Sequence, residues 1–160
     1  MRRILFIIAT VAVIASCTGG KVYDHYEHTP IAGWDKVDML SYNVPALPDS
    51  GFYSTTLGLR INGYYPYQKL TLIVEQTVIH DAKVSKSSPV TFTDTLNCTL
   101  FDRKGEVKGQ GVSYYQYHFR ISERHLAMGD SLHVTVHHDM QREIMPGIAD
   151  IGIIVARTKE

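Results

Sequence analysis

Leu57-Gly58-Leu59-Arg60-Ile61-Asn62-Gly63, followed by Leu70-Thr71-Leu72-Ile73-Val74, is the stretch that decides the fold. Leu57, Leu59 and Ile61 alternate with Thr56, Gly58 and Arg60, and the run stops at Asn62-Gly63, a turn pair. Successive side chains on a strand point to opposite faces, so this period of two describes a half-buried β-strand. Leu70, Leu72 and Val74 repeat the period, with Ile73 on the other face. Tyr64-Tyr65-Pro66-Tyr67 between the two reads as a loop, because proline has no amide to give to a sheet ladder.

The same period extends outward in both directions. Upstream, Leu40, Tyr42 and Val44 alternate until Pro45, Pro48 and Asp49-Ser50-Gly51 break the run. Downstream, Val90, Phe92, Leu96, Cys98 and Leu100 share one parity, and Asp102-Arg103-Lys104-Gly105 makes a turn in which glycine supplies a positive φ. Tyr115, Tyr117, Phe119 and Ile121 alternate next, and Ser122 to Met128 is expected to hold one helical turn capped by Ser122. Leu132, Val134 and Val136 form another strand. Ile151, Ile153 and Val155 form the last, after Pro146-Gly147, which suits a type II turn. Seven or eight strands and no amphipathic helix of ordinary length predict an all-β fold. The expectation is a single β-sandwich, jelly-roll or Ig-like, with a closed barrel as the alternative that alternates equally well.

The amino end has a different logic. Arg2 and Arg3 precede an apolar run from Ile4 to Ile14, which ends in Ile14-Ala15-Ser16-Cys17. A charged start, a short apolar core and small residues before a cut make a secretory signal. The run falls well short of the ~20 residues that a membrane-spanning helix needs. Its last four residues match the bacterial lipobox, in which the cysteine takes a diacylglycerol and becomes the new amino end. The expected organisation is therefore a lipoprotein signal peptide over 1–16, a lipidated tether over 17–21 with Cys17 as the lipidation site, and a β-sandwich over 22–160.

The chain has 16 basic and 16 acidic residues. That balance gives no electrostatic case for nucleic acid or an anionic lipid face, so a membrane link has to come from the lipid. Cys17 and Cys98 are the two cysteines. With Cys17 lipidated, Cys98 has no partner, and its parity with Leu96 and Leu100 makes it a small buried apolar side chain.

No catalytic constellation is visible. Gly-x-Ser-x-Gly, His-Glu-x-x-His and a phosphate-cradling glycine loop are all absent from the sequence. His133 and His137 share a face, but at about 3.3 Å per residue their Cα atoms lie roughly 13 Å apart, too far for one ion. His137 and His138 point to opposite faces, and His25 and His28 have no evident partner. No metal, no cofactor and no enzymatic activity are expected. The ten tyrosines and one tryptophan carry more interest. Trp34, Tyr65 and Tyr67 are candidate partner-binding residues, since loop aromatics serve recognition of sugar or protein. The competing reading is that these rings close the ends of the core.

The order of several short motifs also resembles the gliding motility-associated lipoprotein GldH family. Val22-Tyr23-Asp24 is followed by Gly33-Trp34, then by Leu59-Arg60-Ile61-Asn62 with Tyr65-Pro66-Tyr67 and Leu70-x-Leu72. Asp94-Thr95-Leu96, Gly109-x-Gly111 and Met140-x-x-Glu143-x-x-Pro146-Gly147-Ile148-x-Asp150-Ile151-Gly152 complete the series. The likeness runs from Val22 to about Ile154, behind a lipobox. It implies a non-enzymatic lipoprotein of the cell envelope, an accessory or subunit of a gliding motility or secretion-associated assembly. It also implies envelope proteins as partners. Thr18-Gly19-Gly20-Lys21 lacks the acidic cluster that would argue for surface display, so the expected place is the outer membrane, lipid-anchored and facing the periplasm. A lipid-tethered carbohydrate- or peptide-binding module is the alternative.

Overall fold

The computed structural model describes residues 20–81 and 87–158. The signal stretch 1–16 and Cys17 lie outside the described residues. Ten strands are assigned: β1 (Lys21–His28), β2 (Trp34–Asp35), β3 (Leu40–Val44), β4 (Gly51–Asn62), β5 (Lys69–Ile79), β6 (Val90–Thr99), β7 (Tyr114–Leu126), β8 (Ser131–His138), β9 (Ile144–Met145) and β10 (Ile148–Arg157). Eight are long, and the two beyond the expected number, β2 and β9, hold two residues each.

The topology is a set of nested antiparallel pairs. β1 pairs with β10, β2 with β9, β3 with β8, β4 with β7 and β5 with β6. The chain is thus one long hairpin folded at the β5–β6 connection. That hairpin then rolls up, so that β10 also pairs with β4 and β8 with β5. Two four-stranded sheets result, in the orders β1-β10-β4-β7 and β3-β8-β5-β6, with β2-β9 as a separate ribbon. With the ribbon set aside, the orders are first-eighth-third-sixth and second-seventh-fourth-fifth. This is the double Greek-key jelly roll, not the Ig-like arrangement and not a closed barrel.

The core lies between the two sheets and is built from the alternating positions. Leu57, Leu59 and Ile61 of β4 and Ile151, Ile153 and Val155 of β10 face Leu70, Leu72 and Val74 of β5 and Val134 and Val136 of β8, all fully buried. Tyr42 bolts the layers together, its hydroxyl donating to the Ile151 carbonyl of the opposite sheet at 2.8 Å. Cys98 is buried as well, and burial pushes its thiol up to about 12, so it is an inert packing residue.

One expected element is absent. Ser122 to Leu126 does not form a helical turn but continues β7. Thr56 pairs with Arg120 and Thr55 with Ser122, so Ile121 is an extra residue on β7. Such a bulge shifts the alternation by one, and beyond it the covered positions are the polar Ser122 and Arg124, so no apolar period shows before Leu126.

The elements give the molecule two distinct ends. β1 starts at Lys21, opposite Ala156, and Gly20 accepts from the Arg157 amide at 2.7 Å. The connections 45–50 and 127–130 lie at this entry end. At the far end lie the connections 29–39, 63–68, 100–113 and 139–147, including the β2-β9 ribbon.

Candidate functional site

The far end gathers the Gly33-Trp34, Tyr65-Pro66-Tyr67 and Pro146-Gly147 motifs. Gly147 sits at φ 78°, in the left-handed region the Pro146-Gly147 turn requires. A Cβ there would lie 2.7 Å from the Tyr64 carbonyl carbon and closer still to the Tyr65 amide nitrogen. The Asn62 amide donates to the Gly147 carbonyl at 2.8 Å, and the Tyr65 amide donates to the Asn62 carbonyl at 3.2 Å. The Tyr-Pro-Tyr loop and the Pro-Gly turn, distant in sequence, are thus one packed backbone unit.

Sequence reasoning places Trp34, Tyr65 and Tyr67 on a recognition surface, and two of the three are interior. Trp34 is fully buried, its indole N–H donating to the Asp38 carbonyl at 3.0 Å. Tyr65 is buried too, with its hydroxyl donating to the Lys69 carbonyl at 2.8 Å. A groove walled by these rings does not form, because their apolar area goes into closing the core. Tyr67 alone reaches solvent, edge-on to Tyr65 with centroids 6.1 Å apart. Both Tyr65 and Tyr67 do lie outside the sheet ladders, as Pro66 requires.

Behind Trp34 lies His138, fully buried and T-shaped to the indole at 5.3 Å. Its Nε2 stands 3.1 Å from the Trp34 carbonyl, and the Met140 amide donates to its Nδ1 at 3.5 Å. The ring thus meets the Trp34 carbonyl at Nε2, and the Glu143 carbonyl is a second backbone acceptor. Burial holds its pKa below the ordinary histidine value. Beside this end, Asp150 is buried against the His28 ring, with the Arg60 guanidinium 3.6 Å away. Arg60 also caps the Tyr26 ring at 4.8 Å. That ring lies flat on Gly58 and Gly152, paired glycines of β4 and β10, where a Cβ on Gly152 would meet it at 2.6 Å. The glycine of the Asp-Ile-Gly motif is a seat for Tyr26.

The surface of this end is apolar in a way the alternation pattern does not show. Ile31, Val37, Met39, Tyr64 and Ile144 are exposed, Ile31 completely and Val37 at 81%. They stand on hydrogen-bonded turns. The Gly33 amide donates to Pro30, the Val37 amide to the Asp35 carboxylate, and the Lys36 amide to the Glu143 carbonyl at 2.8 Å. For all but Ile144, which is in β9, the signal is an apolar residue in a connection rather than in a strand.

A groove of about 570 Å³ opens between β7 and the connection that follows β6, lined by Thr99, Lys108, Gln110, Gln116, Tyr117, His118 and Phe119. Tyr117 and Phe119 stack with planes 8° apart. Among the described residues, no three histidines, cysteines or carboxylates gather at metal-binding distance. His25 sits beside Glu27 and His28 beside Asp150, so neither stands alone.

The fold and this end define a jelly-roll module in which some of the motif residues build a structured, apolar-tipped surface. The GldH lipoprotein family model matches residues 21–155, and the chain belongs to that family. The gliding motility lipoprotein GldH of Flavobacterium johnsoniae is 27% identical over 107 residues. That match covers 67% of this chain and 62% of the relative, so it spans less than two thirds of the relative's length. Among solved structures, a protein from Sulfurospirillum deleyianum aligns over 86% of this chain and 99% of its own, at 10% identity and a TM-score of 0.47. A CocE/NonD family hydrolase from Staphylococcus aureus aligns over 88% of this chain and 32% of its own, at 11% identity and a TM-score of 0.38. At those scores neither likeness carries a functional argument.

Proposed function

We propose that the protein is a lipid-tethered, non-enzymatic subunit or accessory of an envelope assembly for gliding motility or secretion. In this reading the signal peptide is cut before Cys17, lipid on Cys17 holds the protein to the outer membrane facing the periplasm, and residues 17–21 tether the sandwich. Family membership supports the motility setting. The observation that carries the partner-binding role is the polarity of the molecule. The chain enters at one end, and Ile31, Val37, Met39, Tyr64 and Ile144 stand exposed at the other. Exposed apolar groups gathered at one end, rimmed by polar residues, suit a protein-docking surface.

The test is the double substitution Val37→Glu with Tyr64→Glu. Both side chains are exposed, so stability should stay within about 0.5 kcal/mol of the parent. Co-purification of envelope proteins after mild cross-linking of intact cells should fall sharply. Undiminished co-purification with a normally folded variant would refute the assignment of this end. The second reading, a carbohydrate- or peptide-binding module, is favoured by the groove beside β7, where amides, a lysine and stacked rings converge. Calorimetric titration with envelope glycans separates it from the first, with Gln116→Ala abolishing any heat that the parent shows.

A further inference from the structure

We propose that the entry end of the jelly roll is itself a lipid-contacting face, which rests on the membrane surface beside the anchor. The inference depends on the reading of Cys17 as lipidated. From Cys17 to Gly20 there are three residue steps, a reach of about 10 Å fully extended. Gly20 is held by the Arg157 amide at 2.7 Å. A lipid on Cys17 therefore brings this end of the domain to within one short span of the head groups.

The surface presented there suits that neighbour. The connections 45–48 and 127–129 carry exposed Pro45, Ala46, Pro48, Ala127 and Met128, with Phe52 exposed next to them on β4. None of these six is charged or polar. Met128 is 58% exposed and Phe52 45%. The patch is contiguous with the point of entry: Arg157, which holds Gly20, donates to the Ser50 carbonyl at 2.9 Å, and the Ser50 hydroxyl accepts from the Met128 amide at 2.9 Å.

Several of its backbone amides are also paired inside the protein. Lipid leaves an unpaired amide stranded, so a tip that touches it needs its donors satisfied internally. Pro45 and Pro48 have no N–H. The Leu47 amide donates to the Asp130 carbonyl at 2.8 Å, and the Gly129 amide donates back to the Leu47 carbonyl at 2.9 Å. The Ala127 amide donates to the Asp130 carboxylate at 2.9 Å, and the Asp130 amide donates to the Ala127 carbonyl at 3.2 Å. Arg157 pairs with Asp49 at 3.4 Å, and the His80 ring lies 2.9 Å from the Asp130 carboxylate. A shallow seat at the head-group boundary would fix the orientation of the sandwich, so that the far end points away from the membrane.

The experiment uses the mature lipidated protein, reconstituted into vesicles of phosphatidylethanolamine and phosphatidylglycerol with brominated acyl chains. Trp34 is the single native tryptophan and is buried at the far end, so its emission in the unsubstituted protein is the background to subtract. Met128→Trp and Phe52→Trp place a reporter on the proposed face, and Tyr64→Trp places one at the far end. At the 5–10 Å depth of an interfacial contact, bromine should roughly halve the emission at 128 and 52 and leave position 64 unchanged. Vesicle flotation with no quenching at 128 or 52, or with equal quenching at all three, overturns the proposal and leaves the lipid reading standing. Failure to float, with no fatty-acid label on the protein, removes the lipid reading and the proposal with it.

Discussion

Four buried tyrosines, Tyr42, Tyr53, Tyr65 and Tyr117, each end on a backbone carbonyl, at 2.8 to 2.9 Å. A phenol that finds such an acceptor can place its whole ring in the core without an unpaired hydroxyl. This is why Tyr65, a loop residue beside a proline, is interior, and why its exposure was not legible locally. The acceptor is Lys69, and the backbone it packs on belongs to Gly147. His138 obeys the same rule with a different consequence. Buried and neutral, it has a folded-state pKa below its ordinary value of about 6.5. The sign follows from linkage. The unfolded chain takes up the proton more readily, so the contribution is fully present above about pH 6.5 and is lost as pH falls below it toward the folded pKa. Denaturant melts should show stability declining on acidification from pH 7. His138→Gln keeps an N–H for the Trp34 carbonyl and should decline less steeply. Identical slopes for the two proteins would mean that His138 is not the group that titrates.

At the scale of elements, the long inner strands were legible, because β4, β5, β8 and β10 each have one face on the core and keep the period of two. β1 was not. It is an edge strand with a register shift between Lys21 and Tyr23, and its faces are half covered, so Val22 to His28 shows no clean alternation. The end of β7 was misread for the related reason that Ile121 is bulged. The expected Pro146-Gly147 turn is present, and the structure raises its energetic weight. Gly147→Val combines a disfavoured positive φ with a clash against backbone, which cannot rotate away. A loss of about 3 kcal/mol or more is expected, with the strain alone contributing 1–3. Gly105 provides the control, since it has φ 83° and nothing within 4 Å of an added Cβ. Gly105→Val should therefore show the backbone contribution by itself. Equal losses at the two positions would mean that the Tyr64-Tyr65 backbone yields.

For the whole molecule, the nested hairpin joins the two halves of the chain at the entry end. β1 and β10 close the outermost pair, and Lys21 sits opposite Ala156. All ten described strands therefore lie downstream of Gly20, while in the proposed reading location depends on Cys17. That separation defines the expected behaviour of Cys17→Ser. The chain balances 16 basic against 16 acidic residues, so no electrostatic attraction replaces lost lipid. A small apolar face such as that of Met128 and Phe52 gives only marginal membrane binding without an acyl chain, at about 0.8 kcal/mol per buried methylene. Arg2, Arg3 and the apolar run are untouched, so export should proceed. The protein should then remain uncleaved at the inner membrane or be released soluble, and its melting temperature should match that of the parent. The far end, proposed to bind the partner, would be intact but displaced, so any dependent process should fail with a folded protein present. Envelope fractionation, fatty-acid labelling and thermal melts of the same preparation check each clause. If Cys17→Ser protein stays in the outer-membrane fraction through a high-salt wash, contacts of the sandwich itself hold it there, and the lipid is not the anchor.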